Sequence, residues 1–313
     1  MATHTPISAC TLPDPVVRLS GGCRRLLALE IAGEFFRVCA SPDLVLGLRR
    51  DLRPFESATD FWHLRADARW TEDLDVPQGR PVFESGGVWS AFREGDGYRF
   101  VFRSSYFGET PYKSAWFNSE FTQGEVAIFR PYFDAEQPAY PLEYPLDELL
   151  MIHRLARGEG VEIHGLGVRD GAGRGHLFVG HSGAGKSTLA RLWLREPSAL
   201  VLSDDRIILR EREGRIWMYG TPWHGDAGIA SPEAAPLCAA YLIEHGSRPE
   251  LMPIAKGRAV AELLARSFVP HYSAEAMDFT LGFLARVTRE TPCFTFRYFP
   301  DQTAVEAICR AKV

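Results

Sequence analysis

The 313-residue sequence predicts an α/β protein in two parts: a β-rich or α+β domain over residues 1–140, then an α/β domain with a mixed sheet over 145–313. Three observations carry this. The first half is rich in aromatics and short alternating runs, the signature of strands. The second half sets short apolar runs between segments of helical period. Between them Ala135 to Pro145 (AEQPAYPLEYP) holds three prolines and reads as a linker.

Composition narrows the class. Hydrophobic residues make up 46% and charged residues 24%, as in ordinary globular proteins. The formal charge of −5 argues against non-specific nucleic-acid or anionic-membrane partners, which require a basic surface. Six cysteines (Cys10, Cys23, Cys39, Cys238, Cys293, Cys309) without C-x-x-C spacing read as reduced thiols rather than a disulfide framework or a zinc site. There is no run of 18 apolar residues, and the start (MATHTPISACTLPDP) lacks a basic region followed by an apolar stretch. A soluble cytoplasmic protein is expected.

In chain order, Leu26 to Ala40 reads as two strands around Gly33, and Tyr98 to Arg103 as another. Ala115 to Phe121 and Val126 to Pro131 read as a hairpin turning at Gly124. Trp62, Trp70, Trp89 and Trp116 are expected in the core or between sheets, where large aromatics usually lie, with a binding surface as the alternative. Leu146 to Arg157 is apolar at Leu146, Leu149, Leu150, Ile152 and Leu155, which predicts an amphipathic helix stopped by Gly158 and Gly160. Val161 to Val168 is a strand, Asp170 to Gly175 a tight turn, and His176 to Val179 a second strand. The glycines of that turn lack dinucleotide-binding spacing and lead into a strand, so they predict a hairpin only.

Gly180-His181-Ser182-Gly183-Ala184-Gly185-Lys186-Ser187 fits G-x-x-x-x-G-K-[ST] throughout, after a strand and before the helical run Ser187 to Leu194. Glycines let a backbone wrap a phosphate, and the loop N–H groups and helix N-terminus supply positive potential. The expected nucleotide contacts are Gly180, Ser182, Gly183, Ala184, Gly185, Lys186, Ser187 and Thr188, with Lys186 on the β and γ phosphates and the Ser187 hydroxyl on Mg²⁺. Downstream, the apolar run Ala199 to Ser203 ends in Asp204-Asp205. One such acid can serve the metal while the other accepts a proton; turn chemistry is the plainer alternative. Arg206 to Glu211 and Arg215 to Tyr219 then form a hairpin, which argues for a mixed rather than all-parallel sheet. Ala239 to Glu244 and Cys293 to Tyr298 complete the expected strands, and Arg258 to Ser267, Ala274 to Val287 and Thr303 to Arg310 the helices. Arg286, Arg289 and Arg297 have the chemistry to reach a phosphate, although a solvated or salt-bridged role is more usual.

Val161 to Arg210 resembles the catalytic domain of HPr kinase/phosphorylase in carrying His164-Gly165 on a strand, the loop Gly180 to Ser187, and Asp204-Asp205 at a strand end, in that order. The resemblance extends over about 145 to 312 and implies a phosphoenolpyruvate-carboxykinase-like P-loop fold. It implies an ATP- and Mg²⁺-dependent kinase that transfers the γ-phosphoryl group to a serine-type hydroxyl of a protein, peptide or small molecule. In that scheme Asp204 is the base, His164 the active-site histidine and Lys186 the phosphate ligand. Ser187 and Asp205 serve the metal, joined by Asp226 as counterpart of a further family acid; His224 is either a ligand or a packed residue. The alternatives are a phosphoenolpyruvate carboxykinase-like enzyme and a non-catalytic ATP-dependent switch.

Overall fold

In the computed structural model, which describes residues 26–311, the chain starts as a hairpin: Leu26–Ile31 (β1) turns at Ala32–Gly33 into Glu34–Ala40 (β2). Both turn residues have positive φ (52° and 80°), which matches the twist of the two strands. Leu64–Thr71 (β3), Phe83–Ser85 (β4), Trp89–Glu94 (β5), Gly97–Phe102 (β6), Lys113–Asn118 (β7) and Gln123–Phe129 (β8) complete an eight-stranded sheet in the order β1-β2-β3-β8-β7-β6-β5-β4. The β2–β3 and β3–β8 pairs are parallel and the others antiparallel, so the sheet is mixed. In β3 the buried Leu64, Ala66, Ala68 and Trp70 alternate with Arg65, Asp67 and Arg69.

Three expectations for this half need correction. The β7–β8 hairpin turns over Ser119 to Thr122, not at Gly124. The Asn118 side chain accepts from the N–H groups of Thr122 and Gln123, while Gly124 sits in β8 where a Cβ would lie 2.3 Å from the Phe117 ring. Of the four tryptophans only Trp70 is buried; Trp89 and Trp116 are half-buried and Trp62 is exposed. Residues 135–145 do not hang free. Tyr140 and Leu142 are buried, and Ala139 pairs with Leu46. The chain divides into two compact units after Leu150.

The second unit begins inside the helix Leu146–Arg154 (α1), which runs into a wide π turn over Leu155–Glu159. Its nine-stranded sheet is built on two long strands, Val161–Arg169 (β9) and Ala234–His245 (β14). Gly175–Val179 (β10) pairs antiparallel with β9 and parallel with β14. Leu200–Ser203 (β11) pairs with the last residues of β9, and Arg206–Arg212 (β12) with its first. Arg215–Gly220 (β13) joins β12 to the start of β14. Glu250–Pro253 (β15) and Cys293–Tyr298 (β17) extend the β14 side, and Ser267–Phe268 (β16) pairs with β9. The sheet is mixed, as the β12–β13 hairpin suggested.

Alternate residues divide between two cores. Leu177, Val179, Ala240 and Leu242 pack with Leu263 of Lys256–Leu264 (α3) and with Phe283, Leu284 and Val287 of Ala274–Glu290 (α4). On the other face Phe178, Ala239, Tyr241 and Ile243 pack with Leu189 and Trp193 of Lys186–Trp193 (α2) and with Val305 and Ile308 of Gln302–Arg310 (α5). The period of two in the strands thus produces a helix–sheet–helix sandwich. Cys39, Cys238, Cys293 and Cys309 are free thiols; Cys10 and Cys23 lie outside the described residues. Among the described residues no helix is long and apolar enough to cross a membrane.

Candidate functional site

The segment from β10 to α2 is a tight glycine loop. Gly180 has no room for a side chain: a Cβ would lie 2.8 Å from that of Ala184 and 2.9 Å from Ile243 Cγ1. Gly185, the residue before α2, has φ 101° and ψ 12°, a left-handed conformation that glycine adopts without strain. Lys186 follows as the first helical residue and is buried, its Nζ donating to the carbonyls of Gly180 (3.1 Å) and His181 (3.4 Å). Burial lowers its proton affinity, as do Arg266 and Arg206, against the opposing charge of Asp205. The first N–H groups of α2 have no carbonyl in the preceding turn to bond, so they remain available to an anion.

Across from this loop, β11 delivers the two acids. They follow its last residue, Ser203, and their side chains meet different partners. Asp204 turns away from solvent and is 2% exposed. Its Oδ1 accepts from the N–H groups of Gly225 (3.1 Å) and Ile229 (3.3 Å), and its Oδ2 from Ala227 N–H (2.9 Å). Asp204 therefore organises the loop that follows β13, and Gly225 fits there because a Cβ would sit 2.9 Å from the carboxylate.

Asp205 takes the opposite course, and its Oδ1 lies 2.9 Å from Nε2 of His164 on β9. Its Oδ2 accepts from Arg206. Burial pushes the Asp205 carboxyl up, but the His164 hydrogen bond and the charges of Arg206, His164 and Lys186 outweigh burial and hold it below its ordinary range. It is an ionised carboxylate at neutral pH.

These groups converge on a cavity of about 410 Å³ lined by His164, Ser182, Gly183, Gly185, Lys186, Ser187, Thr188, Asp204, Asp205, Gly225 and Asp226. Of the residues expected from sequence, only Gly180 and Ala184 are not on the wall, and both are packed beneath it. Asp226 is exposed at the cavity, while the neighbouring His224 points its Nδ1 at the Gly225 carbonyl and does not line it. Arg286 pairs with Glu211 and Glu290, and Arg297 with Glu244, so both arginines are engaged elsewhere.

Sequence reasoning missed three supports. Arg206 holds Asp205, lies 3.5 Å from the fully buried Glu162, and stacks its guanidinium 4.2 Å over the Phe268 ring. Gly225 completes the Asp204 cage, and Tyr298 donates to the Gly185 carbonyl. An arginine after an acid pair carries no pattern of its own, and Phe268 and Tyr298 reach the site only through tertiary folding.

The wall chemistry fits a polyphosphate with a hard cation. Tightly packed glycines, a buried lysine and the helix N-terminus would suit phosphate, and oxygens of Ser187, Asp205 and Asp226 would suit Mg²⁺. Among the described residues no three His, Cys, Asp or Glu side chains cluster so as to hold a metal unaided. Mg²⁺ ordinarily takes one or two carboxylates and completes its shell with water and phosphate oxygens. Comparison of the chain with models of known protein families and with curated proteins returns no match.

Proposed function

We propose that the second unit is a P-loop kinase of the HPr kinase-like kind, with the phosphoenolpyruvate-carboxykinase-like fold. It transfers the γ-phosphoryl group of ATP to a serine-type hydroxyl. The single observation that carries this reading is the convergence of His164, the glycine loop, Lys186, Ser187, Asp205 and Asp226 on one cavity, from segments far apart in sequence. The free thiols at Cys39, Cys238, Cys293 and Cys309 suit a reducing compartment such as the cytoplasm.

The geometry supports the following roles. Lys186 and the loop N–H groups neutralise phosphate charge, and Ser187, Asp205 and Asp226 are the oxygens that would hold Mg²⁺. When bound, that ion supplies charge neutralisation on the transferred phosphoryl group. The proton leaving the acceptor hydroxyl goes to the His164–Asp205 pair, whose members are already 2.9 Å apart at the cavity. This departs from the family order, in which Asp204 is the base. Asp204 has committed its oxygens to three backbone N–H groups and so serves as the anchor of the 225–229 loop.

The test is calorimetric titration of ATP with Mg²⁺ into the wild type and Lys186→Ala. The lysine bonds only carbonyls of its own loop, so the variant should stay folded while its affinity falls more than about tenfold, or ~1.4 kcal/mol. Equal affinities in two folded proteins would remove the phosphate-loop reading. ATP binding without transfer of label from γ-labelled ATP to free serine, serine peptides or water would leave only a nucleotide-dependent switch.

A further inference from the structure

The carbonyl of Gly185 is held by two donors. Leu189 N–H reaches it at 2.8 Å as the first bond of α2, and the Tyr298 hydroxyl reaches it at 3.1 Å from the end of β17. A peptide unit is planar and trans, so its C=O and N–H point in opposite directions. Whatever fixes the Gly185 carbonyl therefore also fixes the direction of the Lys186 N–H, on the side of the loop where the cavity lies.

Tyr298 belongs to the core on the α2 face of the sheet and turns its hydroxyl to the loop. It is 1% exposed and does not line the cavity, so it meets no ligand directly. Its ring stacks on Phe296 at 5.1 Å and 12°, and its own carbonyl accepts from Gly246 N–H at 2.9 Å. Burial pushes its hydroxyl up to about 12, so it remains a donor throughout the physiological range. The pairing with glycine is also steric: a Cβ on residue 185 would lie 2.6 Å from the Tyr298 hydroxyl oxygen.

We propose that Tyr298 is a positioning residue for the phosphate-binding loop, its hydroxyl pinning the Gly185–Lys186 peptide so that the Lys186 N–H is aimed at a bound phosphate before the ligand arrives. The proposal rests on the phosphate-loop reading above. Preorganisation of this kind raises affinity by removing the cost of ordering the loop on binding.

Tyr298→Phe retains the ring and its stack and deletes only the hydroxyl. Two readouts are needed, both at a temperature where each protein is fully folded. Affinity for ATP with Mg²⁺, measured by calorimetry, should fall about fivefold to twentyfold, the range for losing one buried hydrogen bond that supports a binding group. Amide exchange at Leu189 in the ligand-free protein should quicken, because its acceptor carbonyl has lost its second tether. A residue that merely filled the core would lower the melting temperature and leave affinity unchanged. Unchanged affinity, or unchanged exchange at Leu189, overturns the proposal. If the wild type itself fails to bind ATP with Mg²⁺, the phosphate-loop reading has failed, and the wild-type titration alone reveals it.

Discussion

Asp204 and Asp205 are adjacent in sequence and opposite in surroundings. The pair was visible in the sequence as two acids ending an apolar run, but the division between them was not. Both line the cavity, and which of the two is tied into backbone and which meets the histidine depends on the register of β11 against β9 and on the loop that returns after β13. The structure gives Asp204 three backbone donors and gives Asp205 a histidine and an arginine. Asp204→Asn places an NH₂ donor among N–H donors and removes the charge they solvate. It should cost about 2–3 kcal/mol, or roughly 4–10 °C of melting temperature, with activity lost through disorder of the 225–229 loop. Asp205→Asn gives up the pairs that hold its carboxyl low, so it should cost less, about 1 kcal/mol, and under the proposed kinase reading should reduce phosphoryl transfer by ~10² to 10⁴, the usual range for a positioned proton acceptor. Melting curves and transfer assays on both variants decide it. Stability lost at 205 and kept at 204 would exchange the two roles.

At the scale of elements, legibility followed the strength of the local signal. The hairpin around Gly33, the β9–β10 turn, the loop and α2, the β12–β13 hairpin and the last two helices lie close to their sequence-expected ranges, because turn residues and period coincide there. β3 escaped because Arg65, Asp67 and Arg69 occupy its outward positions and two of its four inward residues are alanines, so it has few strand-favouring side chains although its alternation is regular. The β9–β10 turn also conceals a cluster that the glycines overshadow. Asp170 Oδ1 accepts from the N–H groups of Ala172 and Arg174, and its Oδ2 takes the Arg174 guanidinium at 2.8 Å and His176 Nε2 at 3.1 Å. His176 is fully buried, with Nδ1 3.2 Å from the Tyr241 hydroxyl, and burial depresses its proton affinity despite Asp170. A histidine lowered in the folded state binds fewer protons than its unfolded counterpart of pKa ~6.5, so stability falls as pH drops below about 6.5. The urea midpoint should decline between pH 7.5 and 5 in the wild type and decline less in His176→Gln, whatever the variant's absolute stability. Identical slopes would mean that other groups set the acid limb.

For the whole chain, the sequence located the change of character near residue 140 but misjudged what the proline-rich stretch does. Proline and tyrosine read as linker because nothing local distinguishes an extended segment in solvent from one laid against a sheet. The distinguishing partner is Lys113, far away on β7. It is 1% exposed, its Nζ donates to the Glu143 carbonyl at 3.2 Å, and it lies 3.6 Å from Glu143 Oε1 and 4.7 Å over the Phe102 ring. Burial lowers its proton affinity, against the opposing charges of Glu143 and Asp147. Residues 135–150 therefore complete the first unit in two ways: Tyr140 and Leu142 fill its core, and two acids compensate a buried ammonium. A fragment of residues 1–134 loses both. Losing the acids that compensate Lys113 costs up to ~3–5 kcal/mol, and losing the apolar burial that Tyr140 and Leu142 supply costs ~3–6 kcal/mol, together most of the stability of an ordinary domain. A fragment of residues 1–150 should accordingly unfold cooperatively in urea, while 1–134 should be molten or unfolded at neutral pH. Lys113→Met in the shorter fragment removes the stranded charge but not the missing apolar cover, so it should restore only part of the stability. Equal urea midpoints for 1–134 and 1–150 would make residues 135–150 a linker after all, and failure of Lys113→Met to help would place the whole cost in the lost core.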